Sequence, residues 1–176
     1  MKPIIYFLFL FIPFFVFSQS SEDQKKALDL HNKARNEVGS TPLIWSEKLE
    51  KDALKYAQHL AKTNNFKHSK TKNGENLTMS FESIEFGGTT TYIYSETPLL
   101  DASRGWYDEI EDYRYSKIRK NRWLSKKVGH YTQMVWFNTK EVGIASARSK
   151  NGKVYVVARY YPTGNIIGEF PYKKRK

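Results

Sequence analysis

Four ionisable side chains stand where the surrounding pattern calls for apolar or turn residues. His68 and Glu75 flank a Gly- and Asn-rich stretch, "HSKTKNGE". Glu109 shares a helical stripe with Trp106, Ile110 and Tyr113. His130 follows a glycine at the head of the apolar run "YTQMVW". Two imidazoles and two carboxylates are an inventory for holding a divalent ion, since neutral imidazole suits zinc, copper or nickel. The carboxylates can orient the ring N–H groups, or take a proton from bound water. No HExxH motif is present, so such ligands would be dispersed along the chain. The alternative is that each is a satisfied polar group bracing a loop or strand end, and spacing alone favours that alternative. A nucleophile is harder to find. The chain has no cysteine and no GxSxG elbow. Ser69 follows His68 directly, but neighbours in sequence need not face each other. Glu75 and Glu109, as general bases, are the catalytic candidates.

The elements around these residues follow from periodicity. Ser21 with Gln24 makes a capping box. Ala27, Leu30, His31, Ala34 and Val38 then recur at helical spacing, and Gly39 can close that helix. Ser46 can cap a second helix with the stripe Leu49, Ala53, Tyr56, Ala57 and Leu60, which leaves His59 on the surface. Leu77, Met79 and Phe81 alternate as in a strand. The stretch 82–96, around Gly87-Gly88, is a hairpin or a flap. Thr97-Pro98 is a cap and first helical position. Residues 130–137 are expected to be a strand, with Thr132, Met134 and Trp136 on one face and Tyr131, Gln133, Val135 and Phe137 on the other. "GIASARSKNGKVYVVARYYP" predicts a hairpin with a type I′ turn at Asn151-Gly152. The order gives an α+β fold with a mostly antiparallel sheet.

The chain has 176 residues, which favours one domain. Lys2 and the unbroken apolar run 4–17, interrupted only in conformation by Pro13, predict a signal peptide over 1–18. That run is shorter than the roughly 18 residues a bilayer span requires. An exported chain meets an oxidising compartment, and this one uses no disulfide there. The 11 Phe, 12 Tyr and 4 Trp supply core bulk instead. Net charge is +11, or +10 without Lys2. So basic a chain is drawn to anionic surfaces. Its clusters at 117–127 ("KIRKNRWLSKK") and in the tail ("KKRK") read as solvated faces. Export and the lack of a nucleic-acid-binding motif exclude nucleic acid as partner. Asn76-Leu77-Thr78 is a glycosylation sequon, and its place beside Glu75 at a strand start favours the unmodified state.

At these residues the chain resembles a known family, the cysteine-rich secretory protein, antigen 5 and pathogenesis-related superfamily, or CAP (SCP) domain. "GHYTQMVW" at 129–136 matches its first signature and "YYPTGN" at 160–165 the core of its second. "HNKARNEVGSTPLIWSEKLEKDALKYAQHLA" is similar to its opening helices. "KHS" at 67–69, "GENL" at 74–77 and "WYDEI" at 106–110 match in order. The resemblance spans residues 24–168, and in having no Cys the chain is similar to the cysteine-free, Golgi-associated branch.

It implies a three-layer α-β-α sandwich over residues 19–176. It also implies a cleft lined by two His and two acids, which by motif are His68, Glu75, Glu109 and His130. His68 and His130 would hold zinc or another divalent metal, as in some relatives, and lipid or sterol binding is attributed to several. The segment 82–96 is longer than in compact relatives. Phe81 just before it, together with Phe86, Tyr92, Ile93 and Tyr94 within it, are candidates for a lipid groove. Three readings result. The first is a secreted binding module for lipid, sterol or an anionic cell surface. The second is a metal-assisted, protease-like hydrolase with Glu75 or Glu109 as base. The third is a host-interaction or toxin-like protein acting on a receptor.

Overall fold

The computed structural model describes residues 21–119 and 128–174. The expected leader, most of the basic cluster at 117–127 and the last two residues of the tail lie outside them. The helices are α1 (Ser21–Val38), α2 (Glu47–Thr63), α3 (Pro98–Asp108), which runs into a 3-10 turn at Glu109–Glu111, and α4 (Gly129–Met134). The strands are β1 (Ile44–Trp45), β2 (Gly74–Ser80), β3 (Ser83–Phe86), β4 (Thr89–Tyr92), β5 (Glu141–Arg148) and β6 (Val154–Tyr161). One sheet has the order β1-β5-β6-β2, and β3-β4 form a separate hairpin. Only the two-residue β1 runs parallel to its neighbour, so the sheet is mostly antiparallel, as expected.

Alternation in β6 makes the three layers. Val154, Val156, Ala158 and Tyr160 pack with α1, α3 and α4 through Ala27, Ala34, Leu99, Trp106 and Met134. Tyr155 and Val157 face α2 through Ala53, Ala57 and Leu60. Helix α2 lies so close to β5 that a Cβ on Gly143 would sit 2.1 Å from the backbone nitrogen of Glu50. Glycine there is a packing requirement.

Three local expectations are corrected. Residues 129–134 form a helix, not the start of a strand. Tyr131 to Trp136 are all buried, and a fully buried run loses the alternation that separates the two periods. The segment is held as a helix from both ends. Glu109 Oε2 accepts from the backbone N–H groups of His130 and Tyr131 at 2.9 and 3.1 Å. Arg35, buried on α1, donates to the carbonyls of Met134, Trp136 and Thr139 at 2.8–2.9 Å. Second, the β5–β6 turn is not type I′. Only Gly152 has positive φ, at 81°. Its N–H donates to the Ser149 carbonyl, the pattern of a type I turn followed by a left-handed glycine. Third, neither Ser46 nor Thr97 makes a side-chain cap. The start of α3 is capped from α1 instead, where Asp23 accepts from the N–H groups of Leu99 and Leu100, each at 3.0 Å. Pro98 takes the first helical turn as predicted.

Candidate functional site

The loop after α2, the start of β2, the 3-10 turn after α3 and the N-terminus of α4 meet around one cleft. Its volume is about 320 Å³, and His68, Glu109 and His130 line it together with Phe66 and Leu77. Glu75 stands behind His68 and grips it. The chain thus brings all four residues together as two imidazole–carboxylate pairs. His68 Nδ1 lies 2.5 Å from Glu75 Oε1, and His130 Nδ1 lies 2.7 Å from Glu109 Oε1. An ionised carboxylate only accepts, so each ring donates through its Nδ1–H, and in the neutral ring the lone pair is then on Nε2. Trp106 backs the His130 ring, with centroids 6.0 Å apart.

The two carboxylates are held differently. Glu109 fastens His130 and caps α4 at once. Glu75 belongs to a buried network on the α2 face of the sheet. Its Oε2 accepts from Ser69 Oγ at 2.6 Å and from the Arg159 guanidinium. Its Oε1 also accepts from the Ser69 backbone N–H at 3.0 Å. Burial alone would raise the Glu75 pKa. The hydrogen bonds from His68 and Ser69, with the Arg159 charge, outweigh it and hold the group below the usual carboxylate range. The Asp52 carboxylate lies 2.7 Å from Arg159 Nε but out of line for a hydrogen bond. It therefore compensates charge and no more. Ser69, the one serine next to a histidine, points its hydroxyl at Glu75 and not at the His68 ring.

Asn76 is buried, and its amide donates to the His130 carbonyl and to Tyr160 Oη, each at 3.1 Å. Tyr160 Oη in turn lies 2.9 Å from Nε2 of the buried His31. The sequon amide is therefore inside the protein and engaged. Among the described residues no three His, Cys, Asp or Glu side chains converge as a ligand set for a metal.

The groove candidates separate. Phe81 and Ile93 line a second cavity, between α3 and the β2–β6 edge. Tyr92 lies over Gly152, Tyr94 carries the Arg148 guanidinium 4.1 Å above its ring, and Phe86 projects from the hairpin tip, 86% exposed. His59 stacks on Tyr56 at the surface, as its place off the stripe predicted.

The two signature stretches pack on each other beside this cleft. Gln133 Oε1 accepts from the Gly164 N–H at 3.1 Å, and Thr132 Oγ1 donates to Asn165 Oδ1 at 2.7 Å. Gly74 and Gly164 make room for Gln133 and Trp136, because a Cβ on either would come within 2.4 to 2.6 Å of those side chains. Residues 28–160 match the family model "CAP: Cysteine-rich secretory protein family". The chain belongs to the cysteine-rich secretory protein family.

This member of the CAP family carries no cysteine. It is 33% identical over 156 residues to the Golgi-associated plant pathogenesis-related protein 1 of Homo sapiens, covering 86% of this chain and 90% of that one. It is 36% identical over 166 residues to pathogenesis-related protein 1C of Nicotiana tabacum, covering 94% and 89%. Among solved structures it is similar to NaASP2 with Zn2+, with a TM-score of 0.73 and 26% identity over 92% of this chain and 90% of that one.

Sequence reasoning missed Arg159 and Arg35. The signal for Arg159 was available, because a single arginine in the eight-residue apolar strand "VYVVARYY" must meet polar or charged partners to be buried. Arg35 had none, because its carbonyl acceptors at Thr41, Met134, Trp136 and Thr139 are brought around it only by the fold.

Proposed function

We propose that this protein is an exported binding module that takes up a lipid or sterol at an anionic cell surface and can hold a divalent cation in the His68–His130 cleft. One observation carries the reading. A cavity of about 270 Å³, walled by Phe81, Ile93, Ala102, Val154 and Val156, opens beside a hairpin whose Ile84 and Phe86 are 57% and 86% exposed. Exposed large side chains grouped beside a cavity mark a contact surface for something apolar. The net charge of +11 draws the protein to anionic membranes.

The cleft suits a zinc-type ion in its donor chemistry. Each imidazole is pinned at Nδ1 by a carboxylate, the arrangement that orients a metal-ligating ring. His68 and His130 would be the ligands, and the ion would supply a positive centre joining the loop after α2 to α4. The family relative NaASP2 solved with Zn2+ supports this. The hydrolase alternative requires a carboxylate free to take a proton. Glu75 gives both oxygens to His68, Ser69 and Arg159, and Glu109 gives both to His130 and Tyr131. Binding without turnover is therefore the better reading.

Competition with labelled sterol and labelled fatty acid tests it. Saturable uptake of at least one is expected. Uptake of neither by folded protein overturns the reading.

A further inference from the structure

The cavity between α3 and the sheet lies on the opposite face of β2 from Glu75, so it is separate from the His68–His130 cleft. Its helical wall is Pro98, Asp101, Ala102 and Gly105, at the spacing that places them on one face of α3. Gly105 is mid-helix, where glycine is less stable than alanine. Neither sterics nor backbone requires it. A Cβ there would meet nothing within 4 Å, and its φ is not positive. The missing side chain keeps the cavity open.

The charge of the cavity opposes the charge of the protein. Two carboxylates, Glu82 and Asp101, stand on its wall, and no Lys, Arg or His does. Asp101 Oδ2 accepts from Ser95 Oγ at 2.5 Å. Among the described residues no cation pairs with either acid. Phe81 adds an aromatic face of the kind that attracts an ammonium group. At about 270 Å³ the space is slightly smaller than the usual ligand pocket of roughly 300 Å³ or more. It therefore accommodates a short amphiphile or one end of a longer one.

Resting on the lipid-binding reading, we propose that the cavity kept open by Gly105 selects an amphiphile with a cationic ammonium head, held between Glu82 and Asp101 with its apolar part on Val154, Val156 and Phe81. The field of the whole chain favours anions, so any preference for a cation must arise in this pocket.

Titration calorimetry at low ionic strength with octylammonium, octanol and octanoate tests it, since one tail carries three heads. Octylammonium is expected to bind at least about tenfold tighter than octanoate. The double substitution Glu82→Gln/Asp101→Asn should bring the two within about threefold while octanol binding persists. Gly105→Leu should weaken all three by about tenfold or more without lowering the thermal midpoint. Octanoate binding as tightly as octylammonium, or a Gly105→Leu protein that binds like the wild type, overturns the proposal. Labelled sterol and fatty acid, run in parallel, separate the two levels. Their saturable uptake without an ammonium preference sinks the selectivity alone, and no uptake of any apolar probe sinks both.

Discussion

Glu75 on β2 and Arg159 on β6 are register partners across adjacent antiparallel strands, and both side chains are almost fully buried. The pair places a charged tie directly behind His68. It joins the central sheet to the loop that carries one of the two cleft imidazoles.

Breaking that tie from one side leaves a buried charge without compensation. Arg159→Met is expected to lose about 3 kcal/mol or more, read as a lowered urea midpoint at unchanged slope. Adding Glu75→Gln should recover part of the loss, since the stranded anion is then removed. A single variant within about 0.5 kcal/mol of wild type would show the pair to be unimportant for stability.

Glu109 has two roles that one substitution tests together. Glu109→Ala removes the hold on His130 Nδ1 and the acceptor at the start of α4. A stability loss of about 2 kcal/mol is expected. Zinc affinity, measured by calorimetry, should fall about 10–100-fold, and His68→Ala should weaken it as well. Zinc binding untouched by both changes would move the metal site out of this cleft.

Acid should weaken the fold through a histidine outside the cleft. Burial pushes the His31 pKa down to about 4, with the Arg35 charge adding to it and the Ala27 carbonyl opposing. The unfolded chain takes this proton near 6.5, and the folded one only near 4. Between those values the unfolded state binds more protons, so stability is complete above 6.5 and falls as pH drops toward 4. The loss amounts to about 3 kcal/mol. The depressed pKa of Glu75 adds a further loss at lower pH, within the carboxylate range. Urea unfolding at about pH 7, 5.5 and 4.5 should show the slope, and His31→Gln should flatten it. An equal slope in that variant would assign the acid sensitivity elsewhere.

Two glycines should respond to alanine in opposite directions. Gly143→Ala drives a methyl into the α2 backbone and should cost about 3 kcal/mol or more. Gly105→Ala points into open space and should gain about 0.5–1 kcal/mol. Thermal midpoints of the two proteins against wild type check both signs.

The helices α1, α2 and α3 were legible because each has one buried face, and burial on one side writes a period into the residues. The β5–β6 hairpin, whose β6 is buried on both faces, was legible instead from its β-branched and aromatic residues on either side of Asn151-Gly152. Helix α4 was not legible as a helix. Every residue from Tyr131 to Trp136 is buried, so no period survives, and Glu109 and Arg35 from distant segments hold the conformation. The caps failed for a related reason. A local Thr or Ser can cap a helix, but Asp23 reaches α3 from 76 residues away in sequence.

The candidate site divides along the same line. Residue types and motif order singled out His68, Glu75, Glu109 and His130, because an ionisable group in an apolar pattern must have a partner. The pairing of each imidazole with its own carboxylate, and the Arg159 charge behind one of them, came only from the fold. By itself the sequence determined the composition, the charge and the buried stripe of α1, α2 and α3, all of which depend on neighbours along the chain. Tertiary structure alone decided which long-range groups meet, because electrostatic and hydrogen-bond partners are selected by distance in space, not by separation along the chain.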